Sequence, residues 1–526
     1  MPEESYDYVI VGGGSAGAVL AGRLSEDPGV QVLLLEAGGV PDADEIAIPA
    51  AFSALFKTRW DWNYTTTEQK QLSGRRAYWP RMRALGGCSS MNAMIYIRGN
   101  RHDYDTWRDA YGATGWGYDD VLPSFVKAEA NTRLGAPYHG QDGPLRVEDR
   151  VYTHELSDLF VDSAVSWGLK PNDDFNGAEQ EGAGRYQVTC RKGRRWSTYD
   201  AYLLPASKRA NLTTRTEVLA TSIDIEGERA VGVTFRHGGT TASVRARREV
   251  LVCGGAINSP QLLMLSGIGP AAHLAEHGID VKVDLAGVGA NLQDHPAVPM
   301  LWHTRGTTDL AALNNLRNFA RWKATGRGPL ASNVGEAGAF FKTRDDLPAP
   351  DLQIHAAPSG FWDNGLHEPT VPMFTAGATL VGVTSRGHVR LRSKDPAWHP
   401  EIEAGYFDDQ TDLDAMLAGM RLTWEMCTQG PLAKHLTTPW RLPTSPSDDD
   451  LLEHARAYGQ TLYHPVSTCA MGTSEDSVVD PNLRVRGVDA LRVVDASVMP
   501  QVPRGNTNAP TIMVAERAAE LIRSDA

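Results

Sequence analysis

The chain of 526 residues has no stretch of about 18 or more uninterrupted apolar residues, so nothing in it reads as a membrane-spanning helix. Its opening, Met1–Asp7, is acidic and passes straight into the short apolar run Tyr8–Val11. A secretion signal needs a basic start and a longer apolar core, so the mature chain is expected to begin near Met1. Runs of Lys and Arg are missing too, and a formal charge of −13 repels phosphate backbones, which argues against a nucleic-acid partner. The five cysteines, Cys88, Cys190, Cys253, Cys427 and Cys469, are scattered, with no Cys-x-x-Cys pair and no histidine at ligand spacing. Neither a disulfide framework nor a bound metal is expected, and a reduced, cytoplasmic setting follows. Low-complexity tracts and short-period repeats are also absent.

What is present begins with Tyr8-Val9-Ile10-Val11, followed by Gly12-Gly13-Gly14-Ser15-Ala16-Gly17 and then by Ala18, Leu20, Ala21 and Leu24 at helical spacing. This is strand, tight turn, helix. Gly12 permits the turn, Gly14 lets backbone approach a pyrophosphate, and Gly17 lets the helix pack closely on the strand. The phosphates would lie at the positive end of the helix. Val30–Leu35 reads as the next buried parallel strand and ends in Glu36, about 20 residues past the glycines, where a carboxylate binds both ribose hydroxyls. A carboxylate there repels a 2′-phosphate, so NADP is disfavoured while FAD and NAD both fit. At this length two lobes are expected.

Two later segments narrow the choice. Arg81–Asn92, Arg-Met-Arg-Ala-Leu-Gly-Gly-Cys-Ser-Ser-Met-Asn, is a second turn of small residues, and Gly255–Gly269 follows the strand-like Glu249–Cys253. Together these resemble the glucose-methanol-choline family of flavin oxidoreductases. Gly255–Gly269 matches one signature of that family throughout, and Arg83–Asn92 matches the other except at Cys88, where Gly, Ser or Thr is usual. The likeness extends from Tyr8 to Ile522 and is nearest to the choline dehydrogenase-like and alkanol dehydrogenase-like branch. It implies an α/β plus α+β fold. A discontinuous Rossmann-like FAD-binding domain would comprise residues 1–153, 187–296 and 460–526. A substrate-binding domain on a mixed or antiparallel sheet would comprise 154–186 and 297–459.

The resemblance further implies FAD, with the pyrophosphate on Gly12, Gly14, Ser15, Ala16 and Gly17, the ribose on Glu36 and Ala37, and the adenine near Trp62 and Val218. Leu85, Gly86, Gly87, Ser89, Asn92, Ala93 and Met94 would lie along the cofactor. Leu491–Ser497, which reads on its own as a buried strand ending in an acidic turn, would return Asp495 and Ala496 to the flavin. Flavin-tethered choline oxidases carry a histidine where this chain has Met91. Lacking that nucleophile, it is expected to hold FAD non-covalently.

Oxidising an alcohol by hydride transfer needs a base for the hydroxyl proton. Among 15 histidines the best candidate is His464, in Leu462-Tyr463-His464-Pro465, where Pro465 stiffens the backbone. The resemblance makes His464 the catalytic histidine and places Asn506 at the second catalytic position, which is His or Asn in that family. Asn508 would face the pyrimidine edge of the flavin; read alone, the pair also suits an Asn-rich helix cap. Around the pocket, Glu336, His355, Leu462 and Tyr463 are candidate substrate contacts, on a sheet that also carries Phe361, Trp362 and Phe374. Choline oxidases have a glutamate where Ala297 stands, directly after His295-Pro296, which favours neutral primary alcohols, aliphatic or aryl-type, over choline.

The expected activity is oxidation of a primary alcohol to an aldehyde, with oxygen or a quinone as acceptor and an association with a membrane surface left open. The alternative is an FAD-containing lyase or decarboxylase of the same fold.

Overall fold

Ser5–Val11 and Val32–Leu35 pair in parallel, Tyr8 beside Val32 through Val11 beside Leu35. Their inner residues are completely buried, which is why both read as continuous apolar runs rather than alternating ones. The computed structural model describes residues 4–441 and 445–525, so the first three residues of the acidic opening lie outside the described residues. The sheet runs in the order Leu212–Arg215, Val32–Leu35, Ser5–Val11, Thr240–Val252, Arg229–His237, Leu219–Glu226. Its first four strands are parallel and its last two antiparallel.

The C-terminal return is present. Leu491–Val493 adds in parallel beside Val250–Val252, where Arg229–His237 has already turned away. The last helix, Asn508–Ser524, carries Pro510 in its first turn, where its missing N–H breaks no helical bond. It packs on the helix Ser15–Leu24 that follows the glycine turn. The buried Glu516 joins the two helices by bonding Arg23 at 2.7 Å and Tyr202 at 2.7 Å.

A second sheet is wholly antiparallel, in the order Leu436–Trp440, Pro296–Thr304, Met373–Leu380, Leu352–Ala357, Ala337–Phe341, Gly182–Arg185. Gln460–Thr461 pairs with Pro296 and Ala297, so the boundary expected at 460 cuts through this sheet rather than beside it. Alternation sends its side chains to opposite faces. Phe374 packs on Phe160 of helix Glu155–Trp167, while Thr375, Gly377 and Thr379 look into a cavity between the two sheets. Phe374 is therefore on the far side of the sheet from the pocket.

The glycine turn is held by contacts that tolerate no side chain. Gly12 has φ +103°, and a Cβ on Gly17 would lie 1.9 Å from the Gly12 carbonyl oxygen. A Cβ on Gly14 would meet nothing nearer than 3.9 Å. Gly17→Ala is expected to destabilise the chain by roughly 3 kcal/mol, the upper range for overpacking, while Gly14→Ala leaves the cofactor-free protein unchanged. Thermal midpoints of the two cofactor-free variants test this; equal midpoints would contradict the packing described.

Candidate active site

A cavity of about 340 Å³ runs from the glycine turn to the underside of the antiparallel sheet. At its first end lie Gly12, Gly14, Ser15 and Ala16, and helix Ser15–Leu24 opens there with no side chain capping its N–H groups. Glu36 lines the same end. Its carboxylate accepts the Gly13 N–H at 2.8 Å and the Gly38 N–H at 2.7 Å, and burial pushes its pKa up. Each oxygen keeps a further lone pair for a hydroxyl. Ala37, Trp62 and Val218 complete this end. Open space at Gly14, uncapped N–H groups and a buried acceptor beside them together suit a dinucleotide.

The wall continues through Gly87, Cys88, Met91, Asn92, Ala93 and Met94. Asn92 Oδ1 takes bonds from Arg195 at 2.8 Å and the Met94 N–H at 3.1 Å, which leaves its amide N–H₂ toward the cavity. Leu85, Gly86 and Ser89, expected to touch the cofactor, stand behind this wall instead. Gly86 N–H donates to Gly13 O at 2.7 Å, Leu85 packs against Gly13, and the Ser89 hydroxyl is paired with Gly86 O and Thr198. Gly17 likewise packs inside the turn. Asp495 and Ala496 reach the cavity, but the Asp495 carboxylate is occupied in tying the return segment down. It accepts from the Gly255 N–H and the Ser259 hydroxyl on one oxygen and from Ser497 on the other. Asn508 also lines the wall, with its Oδ1 accepting the Ser15 hydroxyl at 3.0 Å.

At the far end His464 sits on a loop pinned from several directions. Its backbone N–H donates to Asp294 at 2.7 Å, and Asp294 is further bonded by Thr461 at 2.6 Å and by the Tyr406 hydroxyl. Tyr463, at φ +69°, is held through its carbonyl by Arg81 and through its hydroxyl by Asn364. The ring of His464 has Nδ1 3.0 Å from His295 Nδ1 and Nε2 3.3 Å from the Asn506 amide nitrogen. His355, Leu462 and Tyr463 line the same end. Burial, reinforced by His295, His355 and Arg81, holds His464 well below the usual histidine range. Burial lowers His295 to about 3 and His355 to about 4. All three imidazoles are neutral near pH 7 and can accept a proton.

Glu336 does not face the pocket. Its carboxylate is buried and satisfied by the Ser332 hydroxyl at 2.6 Å, the Ser157 hydroxyl at 2.7 Å and the His154 N–H at 2.8 Å. A carboxylate among small residues reads the same whether they are donors or open space. Phe361 lines the cavity, but Trp362 turns away to pack at a 42° tilt against Trp440, with ring centroids 4.7 Å apart. His295 was missed as part of the site, having served only as the His-Pro landmark before Ala297. Its 169-residue separation from His464 leaves no local trace. Nor does the dipeptide mark it, since His-Pro occurs at 295–296, 399–400 and 464–465. Among the described residues no group of His, Cys, Asp and Glu could hold a metal, and no helix is long and apolar enough to cross a membrane.

Comparison with known proteins agrees with this geometry. The models of the GMC oxidoreductase N- and C-terminal regions match residues 6–297 and 383–515. Human mitochondrial choline dehydrogenase is 43% identical over 99% of this chain and 90% of its own. Alcohol dehydrogenase [acceptor] of Pseudomonas putida is 41% identical over 98% of this chain and 95% of its own. Among solved structures, pyridoxine 4-oxidase from Mesorbium loti superposes with a TM-score of 0.91 at 31% identity, covering 99% of both chains.

Because the folded value of His295 lies near 3 and its ordinary value is 6.5, the unfolded chain takes up a proton first as pH falls. The stability His295 contributes is therefore present above pH 6.5 and lost on acidification toward 3, at up to about 1.4 kcal/mol per pH unit. Replacing His295 by Gln should flatten the decline of the thermal midpoint between pH 6.5 and 5. Parallel declines in variant and parent would contradict a buried neutral His295.

Proposed function

Because the chain belongs to the GMC oxidoreductase family, we propose that it is an FAD-dependent enzyme that oxidises neutral primary alcohols, aliphatic or aryl-type, to aldehydes. The observation that carries this reading is a neutral imidazole, His464, exposing Nε2 beside the Asn506 amide in the same cavity as the glycine turn. FAD held along that cavity by Gly12, Gly14, Ser15, Ala16 and Glu36 would supply a two-electron acceptor for the carbinol hydride. The role of His464 is to accept the hydroxyl proton at Nε2, which leaves an alkoxide that releases hydride far more readily than the alcohol. Asn506 cannot take a proton, but its N–H₂ holds and orients the oxygen. Asn508 and the backbone around it favour negative charge at the adjoining end of the cofactor.

The substrate class is supported by what surrounds His464. Among the described residues two carboxylates line the cavity, Glu36 and Asp495, and both are engaged by backbone N–H donors. Around His464 the wall is Phe52, Phe56, Val334, Phe361, Leu462 and Tyr463. The Arg81 guanidinium lies close enough to lower the His464 pKa. With the Arg81 cation beside His464 and no free carboxylate lining that end, an uncharged alcohol is favoured over the quaternary ammonium of choline. Oxygen or a quinone then reoxidises the enzyme.

Under anaerobic conditions, medium-chain alkanols or benzyl-type alcohols are expected to bleach the flavin, and choline is expected to leave it oxidised. His464→Ala should slow the bleaching by about 100-fold or more. Full oxidised absorbance across the alcohol panel, or an unaltered rate in the variant, would contradict the proposal. With Met91 in place of a histidine, acid precipitation should leave the yellow colour in the supernatant; flavin retained in the pellet would show a covalent link.

A further inference from the structure

The hydrogen bonds behind the cavity wall run back from Asn506 to a backbone carbonyl whose role is unambiguous. Ile354 O can only accept, and the Tyr186 hydroxyl, 2.8 Å away, gives it its single proton. Tyr186 can then only accept at its second contact, 3.1 Å from the Gln353 side chain, so the amide nitrogen of Gln353 faces it. The same nitrogen lies 3.3 Å from Asn506, which must therefore turn its Oδ1 toward Gln353 and its N–H₂ toward His464. An N–H donor at 3.3 Å requires a bare Nε2 on His464. Its proton then resides on Nδ1, where His295 Nδ1 accepts it at 3.0 Å. His295 carries its own proton on Nε2, an atom with no partner among the described residues.

We infer that Gln353 is a positioning residue, acting through Asn506 to hold His464 in the tautomer with Nε2 unprotonated and directed at the Asn506 amide in the cavity wall. Gln353 is fully buried and does not line the cavity, so it touches neither substrate nor cofactor. Its position has a simple origin: strand Leu352–Ala357 sends Gln353 and His355 to the same face, and Gln353 meets the C-terminal loop there. Without the Gln353 donor, the Asn506 amide is free to turn over and present Oδ1 to Nε2, which favours a proton there and blocks its use as a base. This inference rests on the alcohol-oxidising role of His464, but the tautomer can be measured without substrate.

The test is nitrogen NMR on the ¹⁵N-histidine-labelled protein, with the His464 signals identified by their loss in His464→Gln. The parent is expected to show a protonated Nδ1 and a bare Nε2. In Gln353→Leu and Gln353→Met the signals should shift toward the Nε2–H form. Anaerobic flavin reduction at saturating alcohol should also slow by roughly 10- to 100-fold, with half-saturation little changed. A parent His464 protonated on Nε2, or variants whose tautomer and reduction rate match the parent, would overturn the inference. Activity absent in the parent but with Nε2 bare would count against the alcohol reading alone and leave the positioning role standing.

Discussion

The site depends on taking one imidazole out of water and then deciding, by its neighbours, where its proton sits. Burial, reinforced by His295, His355 and Arg81, keeps His464 neutral, since the charged form loses its hydration and gains no carboxylate in return. Asp294 is close, but it bonds the backbone N–H of His464 and not the ring. A carboxylate on the ring would stabilise the imidazolium and raise its pKa; the two nitrogens instead meet His295 and Asn506, both uncharged. The imidazole is thus neutral at rest, with Nε2 bonded only by the Asn506 amide.

That arrangement requires segments far apart in sequence to converge, and the two sheets do this by different means. The parallel sheet ends in the glycine turn and Glu36 at one rim of the cavity. The antiparallel sheet presents small residues such as Gly377 and Thr379 to the same space, which leaves room for a planar ligand. Asp495 clamps the return segment within the parallel-sheet half. It bonds the start of helix Gly255–Leu265 and its own Ser497, and so fixes the strand after which the chain continues to Asn506 and Asn508. Buried carboxylates such as Glu336 and Glu516 are tolerated because their oxygens are met by donors.

Legibility in the sequence followed the range of the interaction. The turn at Gly12–Gly17 and the acidic strand end at Glu36 were readable because turn chemistry and strand burial leave short, local patterns. His464 and Asn506 were reachable only through resemblance, since a lone His-Pro and an Asn-rich loop have commonplace structural explanations. Glu336 was misplaced because its three donors come from positions 154, 157 and 332, of which only the last is nearby. Gln353 and His295 gave no signal at all. Their importance arises from antiparallel register and from a loop that returns after more than a hundred residues, neither of which composition or spacing encodes.

The proposed chemistry requires His464 Nε2 and the Asn506 amide to bind the reacting oxygen together. A crystal structure of the FAD-loaded protein with a non-oxidisable analogue of a good alcohol substrate tests it most directly. The analogue's oxygen is predicted to lie within hydrogen-bond distance, about 2.6–3.2 Å, of both atoms. An oxygen bound elsewhere in the cavity, with His464 and Asn506 contacting only each other, would contradict it.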